Sequence, residues 1–205
     1  MKTRLLVYLA GLAILVSCAS QTEFQSEVTI TPAAQPTEVP SPTAAAVEPT
    51  AVPAVPTPSP ESLIMLRDPL DEPEFYCVDV AGFGNSLNLN APLQAHTCKP
   101  GADDELFIFN HPGPGQFSMD AYDVCLEAGE GVLYVRACSD SQNQRFELSG
   151  DGLLRLRDSD LCVAVQSGEG QPAGGRSHVR RDLLLQDCAS VEQNLSRWTL
   201  PGPSP

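Results

Sequence analysis

Positive charge is scarce in these 205 residues: 12 Lys and Arg stand against 26 Asp and Glu, with only three His. A net charge of −14 repels phosphate backbones and anionic lipid and so argues against nucleic acid as a partner. Catalytic signatures are missing too. The chain has no G-x-S-x-G elbow, no P-loop and no H-E-x-x-H, so no enzyme and no catalytic residue is expected. No two cysteines have CxxC spacing, and His96, His111 and His178 are scattered; neither a metal nor another cofactor is expected. Long apolar runs are also lacking. The longest, 5–16, would cover roughly 18 Å as a helix, short of the ~30 Å hydrocarbon core of a membrane.

That run follows Lys2 and Arg4 and reads as a cleavable export leader. It ends Leu15-Val16-Ser17-Cys18, which resembles the lipobox of bacterial lipoproteins. The resemblance implies a signal peptide over 1–17, acylation of the Cys18 thiol and a membrane anchored through lipid as one partner. An ordinary signal peptide cut after Ala19 is the competing reading. Losing Lys2 and Arg4 would leave 10 basic residues against 26 acidic ones. From 18 to 62 a linker is expected. Between Ala19 and Ser62 it has no Lys, Arg or further Cys, one aromatic (Phe24), and nine prolines from Pro32 to Pro60. Proline fixes φ and removes the N–H, so helix and sheet cannot propagate. Such a segment stays extended and disordered, a spacer reaching on the order of 90 Å. A proline-motif ligand is the sharper alternative, without repeated PxxP and flanking basic residues to support it.

The remaining zone, 63–202, carries six cysteines and three similar segments. Each opens on a cysteine followed by apolar residues (Cys77-Val78, Cys125-Leu126, Cys162-Val163), reaches a second cysteine (Cys98, Cys138, Cys188), and closes on an aromatic, Phe107, Phe146 or Trp198. Gly115 and Gly152 each lie ten residues before the first cysteine of their segments. The separation inside each cysteine pair varies, at 21, 13 and 26 residues, which marks a surface loop between two strands. No segment sustains a 3.6-residue apolar period, so the domain should be all-β. Six cysteines allow fifteen pairings; the repeat selects 77–98, 125–138 and 162–188. Disulfides imply an oxidising, extracytoplasmic compartment. A short disordered tail, 203–205, follows.

Three such segments, each closed by a variant of Gln-x-Trp (Glu105-Leu106-Phe107, Gln144-Arg145-Phe146, Ser196-Arg197-Trp198), resemble the ricin B-type lectins. The resemblance implies a β-trefoil with Phe107, Phe146 and Trp198 in its core. It also implies a shallow sugar pocket per repeat, built from an acid two residues after the first cysteine, an aromatic two before the second, a Gln two before that, and an Asn beside the closing motif. Repeat one supplies Asp79, Gln94, His96 and Asp104, with His in the aromatic's place and Asp in Asn's. Repeat two has Glu127, Arg136 and Asn143, and repeat three only Ala164 and Gln186, so both depart from the pattern. Asp79 could equally cap its loop, His96 could be a half-exposed strand residue, and Asp79 with Asp104 could hold a cation. The acids Asp103, Asp104 and Glu105 read as solvated turn charge.

The expected function is therefore a non-catalytic carbohydrate-binding domain on an envelope-anchored lipoprotein, with a glycan or polysaccharide bound weakly at one site and multivalent avidity supplied by many anchored copies. The alternative is a degenerate trefoil that binds no sugar and serves as a scaffold for an envelope protein. The Gly-rich insert 166–181 has no assigned role.

Overall fold

The computed structural model describes residues 57–175 and 177–202. The leader, Cys18, the linker up to residue 56 and the tail 203–205 lie outside the described residues. Among the described residues there are thirteen short strands, four 3₁₀ turns and no α-helix, as the missing helical period predicts.

Repeat one holds β1 (Met65–Leu66), β2 (Tyr76–Asp79), β3 (Gln94–Thr97) and β4 (Ile108–Phe109). Repeat two holds β5 (Phe117–Met119), β6 (Val124–Gly129), β7 (Val132–Arg136) and β8 (Phe146–Leu148). Repeat three holds β9 (Leu154–Leu156), β10 (Leu161–Val165), the additional β11 (Gln171–Pro172), the long β12 (Val179–Asp187) and β13 (Trp198–Thr199). The last strand of each repeat pairs antiparallel with the first strand of the next: β4 with β5, β8 with β9, and β13 back to β1. This ring leaves no repeat as an end. Within each repeat the middle strands form a hairpin, β2–β3, β6–β7 and β10–β12.

Each hairpin carries one disulfide, Cys77–Cys98, Cys125–Cys138 and Cys162–Cys188, with Cα atoms 5.0, 4.9 and 5.0 Å apart. The pairing expected from the repeat is the one observed. Phe107, Phe146 and Trp198 are all fully buried in one apolar cluster with Ile64, Phe117 and Leu154, each contributing about 1.5–3 kcal/mol through burial. Gly115 and Gly152 have the same duty. Their carbonyls accept the N–H of Phe146 and Trp198, each at 2.7 Å. Both glycines have positive φ, and a Cβ would stand 2.8 Å from the Phe146 oxygen and 2.6 Å from the Trp198 oxygen respectively. In repeat one the Ser62 carbonyl takes this place, 2.9 Å from the Phe107 nitrogen. Ser59 donates its N–H to the Phe109 carbonyl at 2.8 Å, so the end of the segment expected as linker is already tied to the sheet.

Candidate functional site

The β2–β3 register places Asp79 opposite Gln94 and Cys77 opposite His96. Directly opposed residues in an antiparallel pair project from the same face, and Gln94 Nε2 donates to Asp79 Oδ2 at 2.7 Å. The next turn delivers a cation. Lys99 Nζ donates to Asp79 Oδ1 at 2.8 Å and to Asp104 Oδ2 at 2.6 Å, and it lies 3.7 Å from Glu105 Oε1. All four residues expected at the repeat-one site are brought together: Lys99 holds Asp79 and Asp104, Gln94 joins through Asp79, and His96 Nδ1 lies 3.8 Å from Glu105 Oε1. The spacing between Asp79 and Asp104 that could have suggested a metal is filled by this ammonium.

Of the acids of the 3₁₀ turn Asp103–Glu105, expected as solvated charge, only Asp103 is exposed: Asp104 is buried and Glu105 has no exposure at all. The apolar Leu106 and Phe107 that follow pull the turn inward. Glu105 Oε2 accepts the Lys99 backbone N–H at 2.6 Å, while Oε1 is buried without a hydrogen-bond partner. Burial pushes the Glu105 pKa up to about 8, against the opposing Lys99 N–H, with the Asp79 charge adding to the rise. Burial also holds Asp79 above the ordinary carboxylate value, despite the opposite pull of Gln94 and Lys99. For Lys99 burial works against the charge, yet the bonds to Asp104 and Asp79 lift its pKa. The cluster therefore holds fewer negative charges than its three acids would suggest.

His96 is buried rather than presented as a stacking platform. Its Nδ1 donates to the Thr97 carbonyl at 2.8 Å, and its ring meets His178 edge-on, with centroids 5.2 Å apart. The accessible aromatic is Phe83, 82% exposed, which the sequence reading passed over. Its signal was a single aromatic between Gly82 and Gly84 in a loop rich in Gly and Asn. Phe83, His96 and Lys99 line one side of a cleft of about 320 Å³, and Ala173, Gly174 and His178 line the other.

The equivalent places in the other repeats are occupied differently. Glu127 accepts from Gln144 Nε2 at 2.8 Å, and Arg136 Nη1 donates to the Val135 and Leu89 carbonyls while its guanidinium lies 4.5 Å from the centroid of the Tyr134 ring. Ala164 is buried and offers no polar group. A larger recess, about 540 Å³, lies along β8 and β9. There Glu147 pairs with Arg155 at 2.7 Å and Arg157 at 3.6 Å, so its charges compensate one another, and it contains none of the repeat-one constellation. The smaller cleft is the better candidate.

Three hairpin units closed into a ring, each with its own disulfide and closing aromatic, define a β-trefoil. Solved structures share this fold. The β-trefoil lectin of the Vibrio vulnificus hemolysin/cytolysin, with N-acetyl-D-lactosamine bound, aligns with a TM-score of 0.52 at 18% identity, covering 71% of this chain and 98% of that one. The cytolethal distending toxin of Actinobacillus actinomycetemcomitans aligns with a TM-score of 0.51 at 16% identity, covering 70% and 91%. No family model and no curated protein matches the chain. At such identities the likeness is one of fold.

Proposed function

We propose that the chain is a non-catalytic carbohydrate-binding protein of the ricin B lectin type, displayed outside the cytoplasm on a lipid-anchored Pro-rich stalk, with one weak sugar site in repeat one. The observation that carries this reading is the cleft in which an exposed ring, Phe83, stands beside His96 and Lys99, the latter fixed from behind by Asp79 and Asp104. A sugar needs an apolar surface for its C–H face and fixed polar groups for its hydroxyls, and sites of this kind combine both. Three intra-repeat disulfides support an oxidising location. A fold shared with a sugar-bound lectin supports the ligand class. Many anchored copies would convert a weak site into useful avidity.

A second reading, a scaffold for an envelope protein that has lost sugar binding, draws on one observation. Both Asp79 oxygens are engaged by Gln94 and Lys99 in a fully buried carboxylate, as expected of a structural acid. A glycan array probed with the full-length exported protein separates the two. Binding to a defined set of saccharides supports the lectin, and no binding to any printed glycan sinks it.

A further inference from the structure

The 26 residues separating Cys162 from Cys188 are twice the 13 between Cys125 and Cys138, and the additional chain is held against repeat one. β11 pairs with β12, and β12 continues along β3, with Arg180 opposite His96 and Asp182 opposite Gln94. Side chains fasten the join. Asp71 Oδ2 accepts the Gly170 N–H at 2.7 Å, and its Oδ1 accepts from the Tyr76 hydroxyl at 2.8 Å and from Arg181 Nη2. Arg181, itself buried, also donates to the Gln166 carbonyl at 3.1 Å. Thr97 Oγ1 accepts the Val179 N–H at 2.9 Å and donates to Glu72 Oε2 at 2.8 Å. Burial works against the Asp71 charge, yet the Gly170 N–H and Arg181 bring its pKa to about 2, so this clamp is charged at any physiological pH.

A surface loop that needed only to connect two strands would require none of this. The clamp brings the insert's tip, where Ala173 donates its N–H to the His178 carbonyl at 2.9 Å, to the rim of the repeat-one cleft. The cleft's two sides therefore come from different repeats: Phe83 and Lys99 from repeat one, Gly174 and His178 from repeat three.

We propose that the insert of repeat three is the second wall of the repeat-one site, and that the site takes a neutral, terminal sugar residue gripped between Phe83 and His178. This rests on the carbohydrate-binding reading. Three features set the ligand class. The volume, about 320 Å³, lies at the low end of ligand sites, about 300–1,000 Å³, which suits the end of a glycan rather than several units along a polymer. Among the described residues that line the cleft the one ammonium, Lys99, is spent on Asp79 and Asp104, so it is not free to pair with an acidic sugar. The surrounding chain is strongly acidic, which repels one. The exposed face of Phe83 carries the negative side of its quadrupole, which attracts polarised C–H groups.

The test begins with a printed array of neutral and carboxylated oligosaccharides, followed by titration of the tightest-binding free oligosaccharide against full-length wild type, Phe83→Ala, His178→Ala and Ala173→Trp. Thermal midpoints serve as the folding control, and the cleft-filling Ala173→Trp keeps the test alive if a truncation disturbs the fold. The expected result is a neutral ligand whose affinity falls tenfold or more in each variant while the midpoint stays at the wild-type value. Wild-type affinity in Phe83→Ala, His178→Ala and Ala173→Trp, with binding lost in Asp79→Ala, would overturn the composite wall and leave a sugar site confined to repeat one. Binding of carboxylated glycans alone would overturn the ligand class. An array with no signal would remove the carbohydrate reading and the wall together.

Discussion

Glu105 and Gln144 occupy equivalent places in repeats one and two, yet only the amide can satisfy both of its ends. Each is the last residue of a 3₁₀ turn, two residues before a buried phenylalanine, and each accepts the backbone N–H that follows the second cysteine, from Lys99 at 2.6 Å and Ser139 at 2.8 Å. Gln144 Nε2 then donates to Glu127 Oε2 at 2.8 Å and to the Ala137 carbonyl at 3.0 Å. In repeat one the residue at the place of Glu127 is Asp79, another acceptor, and the nearest donors to Glu105 Oε1, Lys99 Nζ at 3.7 Å and His96 Nδ1 at 3.8 Å, stand beyond hydrogen-bond distance. A proton on Oε1 turns the acid into a donor of the same shape, and the Glu105 pKa of about 8 puts that proton there at neutral pH.

A pH-dependent stability follows, with a sign opposite to that of most carboxylates. The folded pKa is raised from 4.5 to about 8, so the folded state holds a proton that the unfolded state releases. The contribution is fully present below about pH 4.5 and is lost as pH rises towards 8, at a slope approaching 1.4 kcal/mol per pH unit. Glu105→Gln should raise the urea midpoint at pH 7–8 and flatten this slope. Equal midpoints for wild type and Glu105→Gln across pH 5–8 would show that no such proton is held. The groups that face Glu105 are Asp79, His96, Lys99 and Asp104, so the same titration in Asp79→Asn should show a smaller shift.

Lys99 is the counter-ion on which the cluster depends. Replacing it by Met leaves Asp79 and Asp104 without a counter-ion, Asp79 keeping only the Gln94 amide, and breaking such a buried pair costs about 3–5 kcal/mol. The side chain keeps 18% exposure, so the lower end is expected. Lys99→Met combined with Asp104→Asn should recover part of the loss. Urea unfolding at pH 7 measures both, and a neutral Lys99→Met would mean that the acids are satisfied without it.

The two glycines at matched offsets should be intolerant of any side chain. Gly152 has φ +94 and a Cβ there would meet the Trp198 oxygen at 2.6 Å, so Gly152→Ala should cost about 1–3 kcal/mol. Gly150, with nothing within 4 Å of an added Cβ, should accept Ala without loss and could gain from a stiffer unfolded chain. Chemical denaturation of the two variants side by side is the check, and equal midpoints would contradict the role given to Gly152.

Disulfide loop length should rank the bridges. Cys162–Cys188 closes a loop about twice as long as that of Cys125–Cys138, and each doubling adds roughly 0.6 kcal/mol of closure entropy. Replacing the 162–188 pair with Ala should therefore destabilise more than replacing the 125–138 pair, an order readable from urea midpoints.

The anchor lies outside the described residues and has its own test. Exported protein grown with radioactive palmitate should be labelled, and Cys18→Ala should not be. Labelling that survives in Cys18→Ala would end the lipoprotein proposal.

The cysteine brackets, Phe107, Phe146, Trp198 and the paired glycines were legible in the sequence because each repeats at nearly constant offsets, and repetition of a local unit is written in chain order. They determined the all-β class, the disulfide pairing and the threefold core. The identity of the cleft was decided by tertiary structure alone. Asp79 and Gln94 meet because β2 and β3 pair, and Lys99 enters as their neighbour only once the turn folds back. Glu105 becomes a buried acid only when Phe107 draws it inward, and Phe83 matters only because a hairpin some ninety residues away is clamped opposite it by Asp71 and Arg181. The physical reason is the range of the forces involved. Backbone periodicity and turn geometry act between near neighbours, whereas burial, charge compensation and the walls of a cleft depend on what distant segments bring to the same place.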